Sequence, residues 1–232
     1  VRTALLRGRS VPQALLRGHA VRRRRVQRYL ATADEPRLHL GAGPQALPGW
    51  LNSDLISGDV YLDLGHRMPL PDASFAYAFG EHVIEHLSED RAQSALRELR
   101  RVLRPGGVLR LTTPDLQKII AIYEDRNPVV RREDYACFLD EETGKRHDRP
   151  CQILNDCLRL WGHRYIYDEQ DLRAELEAAG FENVERAEPG ESRHPLLRGL
   201  ERHGGAEWVN RAEAMCLEAV AAAPVVGTLT QQ

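Results

Sequence analysis

The sequence predicts an α/β protein built on a mainly parallel sheet flanked by helices, and three observations carry that expectation. Short apolar segments alternate with amphipathic ones from Arg37 to about Ala187, the pattern of strands joined by crossover helices. A glycine turn, Gly41-Ala42-Gly43-Pro44, follows the first such segment, where open α/β sheets bind ligands. No apolar run in the 232 residues approaches the roughly 18–20 residues of a membrane span. At 42% hydrophobic and 28% charged, the chain can enclose a full core and is excluded from the collagen-like, mucin-like and wholly disordered classes.

Taken in order, residues 1–34 read as a basic arm. The first 30 contain nine Arg and no acid, whereas the remainder holds 23 basic and 34 acidic side chains, so the net charge of −2 conceals a basic arm on an acidic body. Gly8, Pro12 and Gly18 interrupt the arm and leave Val21 to Leu30 as its best helical piece; Asp34-Glu35-Pro36 marks the boundary. The body, 35–223, then opens with strands at 37–40, 49–53, 60–64 and 75–79. Ser88 suits a helix N-cap, with Glu89 and Asp90 in the first turn and Ala92, Ala95, Leu96, Leu99, Val102 and Leu103 on one face. Pro105-Gly106-Gly107 stops that helix before a strand at 108–112. A helix over 115–126 follows. Residues 127–167 are charged and irregular, the signature of a lid or insertion. Asp168 caps a helix that ends at Gly180, and strands at 181–187 and 214–222 complete the sheet. Residues 224–232 read as a flexible tail.

Cys137, Cys151, Cys157 and Cys216 show no C-x-x-C spacing and read as reduced thiols. The arm lacks the continuous apolar stretch of a secretory signal, so a cytoplasmic setting is expected.

Two places suggest chemistry. In the Gly41-Ala42-Gly43 turn, absent side chains let backbone approach a ligand, and Asp54 at the end of the second strand suits ribose hydroxyls. With no third glycine and no phosphate-binding Lys, a nucleoside without a pyrophosphate fits better than a dinucleotide. The second place is Glu81-His82-Val83-Ile84-Glu85-His86. It contains the H-x-x-E-H of inverted zinc proteases, but its position at a strand-to-helix junction of a parallel sheet argues against a protease.

Further pieces stand in order: Leu38-His39-Leu40-Gly41-Ala42-Gly43, Asp54, Asp63-Leu64, Met68-Pro69-Leu70-Pro71-Asp72, Glu81 to Leu87, Leu103-Arg104-Pro105-Gly106-Gly107 and Leu111-Thr112-Thr113-Pro114. With these the chain resembles the class I S-adenosylmethionine-dependent methyltransferases, and Gly162-His163-Arg164-Tyr165-Ile166-Tyr167-Asp168 extends the resemblance to about residue 187. It implies a Rossmann-like seven-stranded sheet, order 3-2-1-4-5-7-6, with the last strand antiparallel. It implies S-adenosyl-L-methionine as cofactor, lined by His39, Gly41, Ala42, Gly43 and Glu81, with Asp54 on the ribose and Asp63 and Leu64 beside the adenine. Two features depart from the family: His39 replaces the usual acid before the glycines, and the first helix between strands is shortened or absent.

The resemblance implies transfer of a methyl group in line to an acceptor, with a hydroxyl, best a saccharide, as the expected acceptor. His82, Glu85, His86 and His163 are the catalytic candidates, His82 being the preferred base. A divalent metal such as Mg²⁺ on His82, Glu85 and His86 is a second means of activating the hydroxyl, since small-RNA 2′-O-methyltransferases carry a related Glu-x-x-Glu-His motif. The alternatives are an RNA-directed enzyme using the basic arm, which the acidic body disfavours, and a non-catalytic binding protein. A homodimer through the arm is a further expectation.

Overall fold

The computed structural model describes residues 11–202 and 207–223. The first ten residues of the basic arm and the expected tail, 224–232, lie outside the described residues. Seven strands form one sheet: β1 (Arg37–Leu40), β2 (Leu51–Asp54), β3 (Val60–Tyr61), β4 (Phe75–Glu81), β5 (Leu103–Pro114), β6 (Phe181–Ala187) and β7 (Ala214–Ala221). Their order is β3-β2-β1-β4-β5-β7-β6. The first five are parallel, and β7 runs antiparallel between β5 and β6. This is the Rossmann-like sheet of the class I methyltransferases.

Among the described residues seven helices accompany it: α1 (Val11–Thr32), α2 (Glu89–Val102), α3 (Leu116–Tyr123), α4 (Arg132–Thr143), α5 (Pro150–Arg159), α6 (Glu169–Ala178) and α7 (Glu207–Glu213). The five apolar residues expected on one face of α2 that fall within it are all buried, and Ala92, Leu96, Leu99 and Val102 join Leu172 and Leu176 of α6 in the main core. Asp168 caps α6 by accepting a hydrogen bond from the Asp171 N–H at 2.9 Å. Ser88 precedes α2 without making such a bond.

Three expectations need correction. Pro105-Gly106-Gly107 does not precede β5 but lies within it, as an irregularity where the pairing jumps from Phe75↔Leu103 to Tyr77↔Val108; glycines tolerate the bulge geometry. Residues 127–167 are not irregular: they fold into α4 and α5, packed with α3 around Ile119, Ile122, Tyr135, Leu139, Ile153 and Cys157. Finally, the basic segment is not separate from the body. Helix α1 buries Val26 in the main core, and Arg22 and Arg25 donate to the Tyr61 and Asp59 carbonyls at the β3 edge, at 3.3 and 2.6 Å.

No helix lies between β1 and β2. That face is covered instead by Leu47, Trp50 and Leu197, which pack on Phe79 and Val108. Beside them Arg110, fully buried in β5, donates to Glu201 and Glu218, both at 2.6 Å, and to the Glu191 carbonyl at 2.9 Å. Glu201 Oε2 in turn accepts the Gly190 N–H, so one guanidinium holds the 188–202 loop to the sheet.

Arg110→Met would leave two carboxylates without their cation, and we expect a loss of about 3–5 kcal/mol in urea unfolding. A second expectation concerns the insertion. Burial alone would depress the His147 imidazolium, but Asp140 (2.7 Å) and Asp156 (3.1 Å) outweigh burial and raise its pKa. A raised folded-state pKa stabilises fully below the unfolded value of about 6.5 and ceases to do so as pH rises through the folded value. The melting-temperature gap between wild type and His147→Gln should therefore be widest near about pH 5.5 and close at alkaline pH. A gap independent of pH would contradict it.

Candidate functional site

The carboxyl ends of β1, β2 and β4 meet around two adjoining cavities. The first, about 260 Å³, is lined by the Gly41–Gln45 turn, His39, Glu81, His82, His86, His163 and, from the helices, Tyr135, Cys157, Trp161 and Glu213. The second, about 420 Å³, is lined by Asp54, Leu55, Asp63, Leu64, Val83, Arg91 and Arg164. Gly41, His82 and His86 border both. Every residue assigned to the cofactor from sequence therefore lines one cavity or the other.

Gly41 has φ +59°, and a Cβ there would lie 2.5 Å from Val83 Cγ2. Only glycine lets this turn pass so close to the segment after β4. Asp54 faces the turn from β2. Burial would raise its carboxyl, but N–H groups of Ile56, Ser57 and Gly43, at 2.7, 3.1 and 3.2 Å, outweigh that and hold it below the usual carboxylate range. A glycine cradle beside an ionised carboxylate suits a nucleoside whose ribose offers hydroxyl donors.

His39, in place of the usual acid, is neutral. Burial depresses its pKa more than its hydrogen bond to Asn52 Oδ1, at 3.0 Å, raises it. The Asn52 oxygen only accepts, so the His39 Nδ1 carries the proton.

The catalytic candidates follow β4. The single 3₁₀ turn Ile84–His86 buries Glu85 completely. Its Oε2 accepts from Thr113 Oγ1 at 3.0 Å, and its Oε1 lies 3.1 Å from His82 Nδ1. His82 Nε2 faces Asn210 Oδ1 at 3.3 Å, and Asn210 Nδ2 donates to Glu81 Oε1 at 3.0 Å. Both ring nitrogens of His82 thus point at oxygens. Burial opposes the charged form, but the Glu85 carboxylate 3.1 Å away outweighs it and lifts His82 to about 9. Glu85 is correspondingly held below its ordinary value despite burial. The raised value favours the imidazolium, the form that has no free lone pair.

His163 stands in a different environment. Its Nδ1 donates to the Cys157 carbonyl at 2.8 Å, which leaves the lone pair on Nε2. Burial, the largest effect, keeps it neutral by lowering its pKa. Its ring centroid lies 5.1 Å from that of His86. The Glu85 carbonyl accepts the N–H groups of Arg164 and Tyr165, at 2.8 and 3.2 Å, and so fastens the two catalytic segments together. Among the described residues, Glu85, His86 and His163 form the cluster able to hold a metal ion, each offering one ligand atom within 4.8 Å of the others.

No motif marks Glu213 or Tyr135, yet they floor the first cavity and share a hydrogen bond. Burial raises the Glu213 carboxyl. Its one sequence signal is an acid within the otherwise apolar run Ala212 to Leu217. His82 and Trp161 have φ of +49° and +58°, left-handed conformations that side chains adopt at a cost and that gather at functional sites.

Residues 42–111 match the family described as "Methyltransferase domain". The match runs from the glycine turn into β5, and the strand order around it is that of the class I methyltransferase fold. Over 68 residues it is 44% identical to an uncharacterized 37.1 kDa protein in a Streptomyces fradiae transposon; the match covers 28% of this chain and 19% of that protein. Its fold is similar to that of a SAM-dependent methyltransferase from Thermotoga maritima (TM-score 0.48, 14% identity, covering 90% of this chain and 94% of that one). Another, from Archaeoglobus fulgidus, has a TM-score of 0.47 and 16% identity, covering 90% and 99%. Among the described residues no helix is long and apolar enough to cross a membrane.

Asp54→Ala should weaken S-adenosylmethionine binding by about 10- to 100-fold, the worth of a hydrogen bond to a charged group. Titration calorimetry checks this, and unchanged affinity would remove Asp54 from the site.

Proposed function

We propose that the chain methylates a hydroxyl of a small molecule, a saccharide being the best candidate, seated in the 260 Å³ cavity. One observation supports this above others: the neutral His163, beside His86 and the buried Glu85, faces a cavity that also borders the glycine turn. The cofactor supplies an electrophilic methyl group on a sulfonium. Gly41 and Gly43 admit its methionine and ribose portion, Asp54 accepts from the ribose hydroxyls, and Asp63 and Leu64 flank the adenine.

The protein's own contribution is placement and proton handling. Positioning the acceptor oxygen in line with the methyl carbon supplies much of the acceleration. As the oxygen–carbon bond forms and the carbon–sulfur bond breaks, the hydroxyl proton must leave, and the Glu85–His86–His163 cluster is the place for it to be drawn off. His82 serves as a positioning residue, an imidazolium that keeps Glu85 ionised and, through Asn210, aligns Glu81. Trp161, half exposed on the cavity lining, offers a face on which a sugar ring could stack.

RNA as acceptor is less well supported, because Arg22 and Arg25 direct guanidinium groups at the sheet edge.

His163→Ala should lower turnover about 10²- to 10⁴-fold while S-adenosylmethionine affinity stays within about threefold, as a loss at the acceptor and not at the cofactor requires. Release of S-adenosylhomocysteine across a panel of saccharides and phenols reads the turnover. Full activity of the variant would reject the assignment.

A further inference from the structure

We propose that Glu85, His86 and His163 bind a divalent transition-metal ion, of the zinc, manganese, cobalt or iron class, and that Mg²⁺ is not its natural occupant. The inference deepens the reading above and rests on the same cavity being the acceptor site.

Four observations carry it. The ligand atoms are already gathered, within 4.8 Å of one another. Metal–ligand bonds of about 2.0–2.2 Å place neighbouring ligand atoms some 3–3.5 Å apart, so modest side-chain rotations complete the set. Second, the outer partners that orient metal ligands are in place. A ligating histidine usually donates its other N–H to a carbonyl or carboxylate, which directs its lone pair at the ion; His163 does this to the Cys157 carbonyl at 2.8 Å. Thr113 Oγ1 fixes Glu85 Oε2 in the same way, at 3.0 Å.

Third, Glu85 has no exposed surface, yet its Oε1 makes no hydrogen bond of good geometry. His82 Nδ1 is the polar side-chain atom that faces it, at 3.1 Å. A buried carboxylate oxygen without a proper donor is costly, and a cation between it and the two histidines would satisfy it. Fourth, the frame is fixed by backbone. The Arg164 and Tyr165 N–H groups both donate to the Glu85 carbonyl, so ligands distant in sequence are held in register.

The donor set determines the class of ion. Two imidazoles and one carboxylate suit borderline transition metals, whereas Mg²⁺ takes oxygen ligands and retains its waters. Three protein ligands leave positions open, and His86 and His163 both line the 260 Å³ cavity. An ion so placed would make an alcohol in that cavity more acidic.

The test is metal binding itself, on tag-free, chelator-stripped full-length protein. Titration calorimetry with Zn²⁺, Mn²⁺ and Mg²⁺ should show one equivalent of Zn²⁺ or Mn²⁺ bound and no Mg²⁺ uptake under the same conditions. His86→Asn and His163→Asn should each weaken that binding at least tenfold, with unchanged circular dichroism. His147→Gln, at a separate cluster with Asp140 and Asp156, should leave it intact. The proposal is overturned if the folded wild type takes up neither Zn²⁺ nor Mn²⁺, or if binding survives both substitutions at full affinity. S-adenosylmethionine titrations on the same samples separate the two readings. Metal uptake without cofactor binding would refute the methyltransferase reading and leave the metal site standing. Cofactor binding and turnover in protein that takes up no metal would do the reverse, with His163 remaining as the base.

Discussion

A carboxylate with no exposed surface is expensive to keep ionised, and Glu85 is kept so by what surrounds it. Its side chain holds Thr113 at the end of β5 and faces His82 just beyond β4, so two neighbouring strand ends are tied through one group. Its carbonyl takes two N–H groups from the segment after α5, which sets where His163 stands. His82 passes the constraint on through Asn210 to Glu81. Remove the Glu85 charge, and the acceptor side and the cofactor side of the cleft lose their common anchor.

The absent helix between β1 and β2 follows a similar economy. Asn52 does its positioning work with one amide: Oδ1 accepts from the Leu47 N–H at 2.7 Å and from His39, while Nδ2 donates to the Leu47 and Trp50 carbonyls. The ten-residue connection is thereby folded onto Phe79, while burial keeps His39 neutral at the glycine turn. The carboxyl groups on the first cavity's lining are then Glu81 and Glu213, one from β4 and one preceding β7.

The alternation of strands and helices and the glycine turn were legible in the sequence because both depend on local pattern, whereas the strand order came with the family resemblance. Glycines after Leu40, Asp54 closing β2 and the helical spacing of α2 are each written within a dozen residues. The insertion was less legible. Helix α4 buries only Tyr135 and Leu139, too narrow an apolar stripe to stand out among Arg132, Glu133, Asp134 and Asp140. The roles of the histidines were illegible for a different reason. His82 and His86 are adjacent in any reading of the motif, but the left-handed backbone at His82 turns its ring toward Asn210, and His163 arrives from a distant segment. Which histidine is protonated is decided by partners that proximity in sequence does not reveal.

The placing of α1 has a consequence for how molecules of this protein meet one another. A two-residue β3 at the rim of a seven-stranded sheet leaves backbone groups that a second chain could pair with. Helix α1 packs beside that rim, and Arg22 and Arg25 reach two of its carbonyls, Tyr61 and Asp59. Two like-charged side chains already seated on the rim repel an incoming basic segment and occupy the acceptors that an incoming strand would need. The arginine-rich stretch thus covers part of one edge of the sheet.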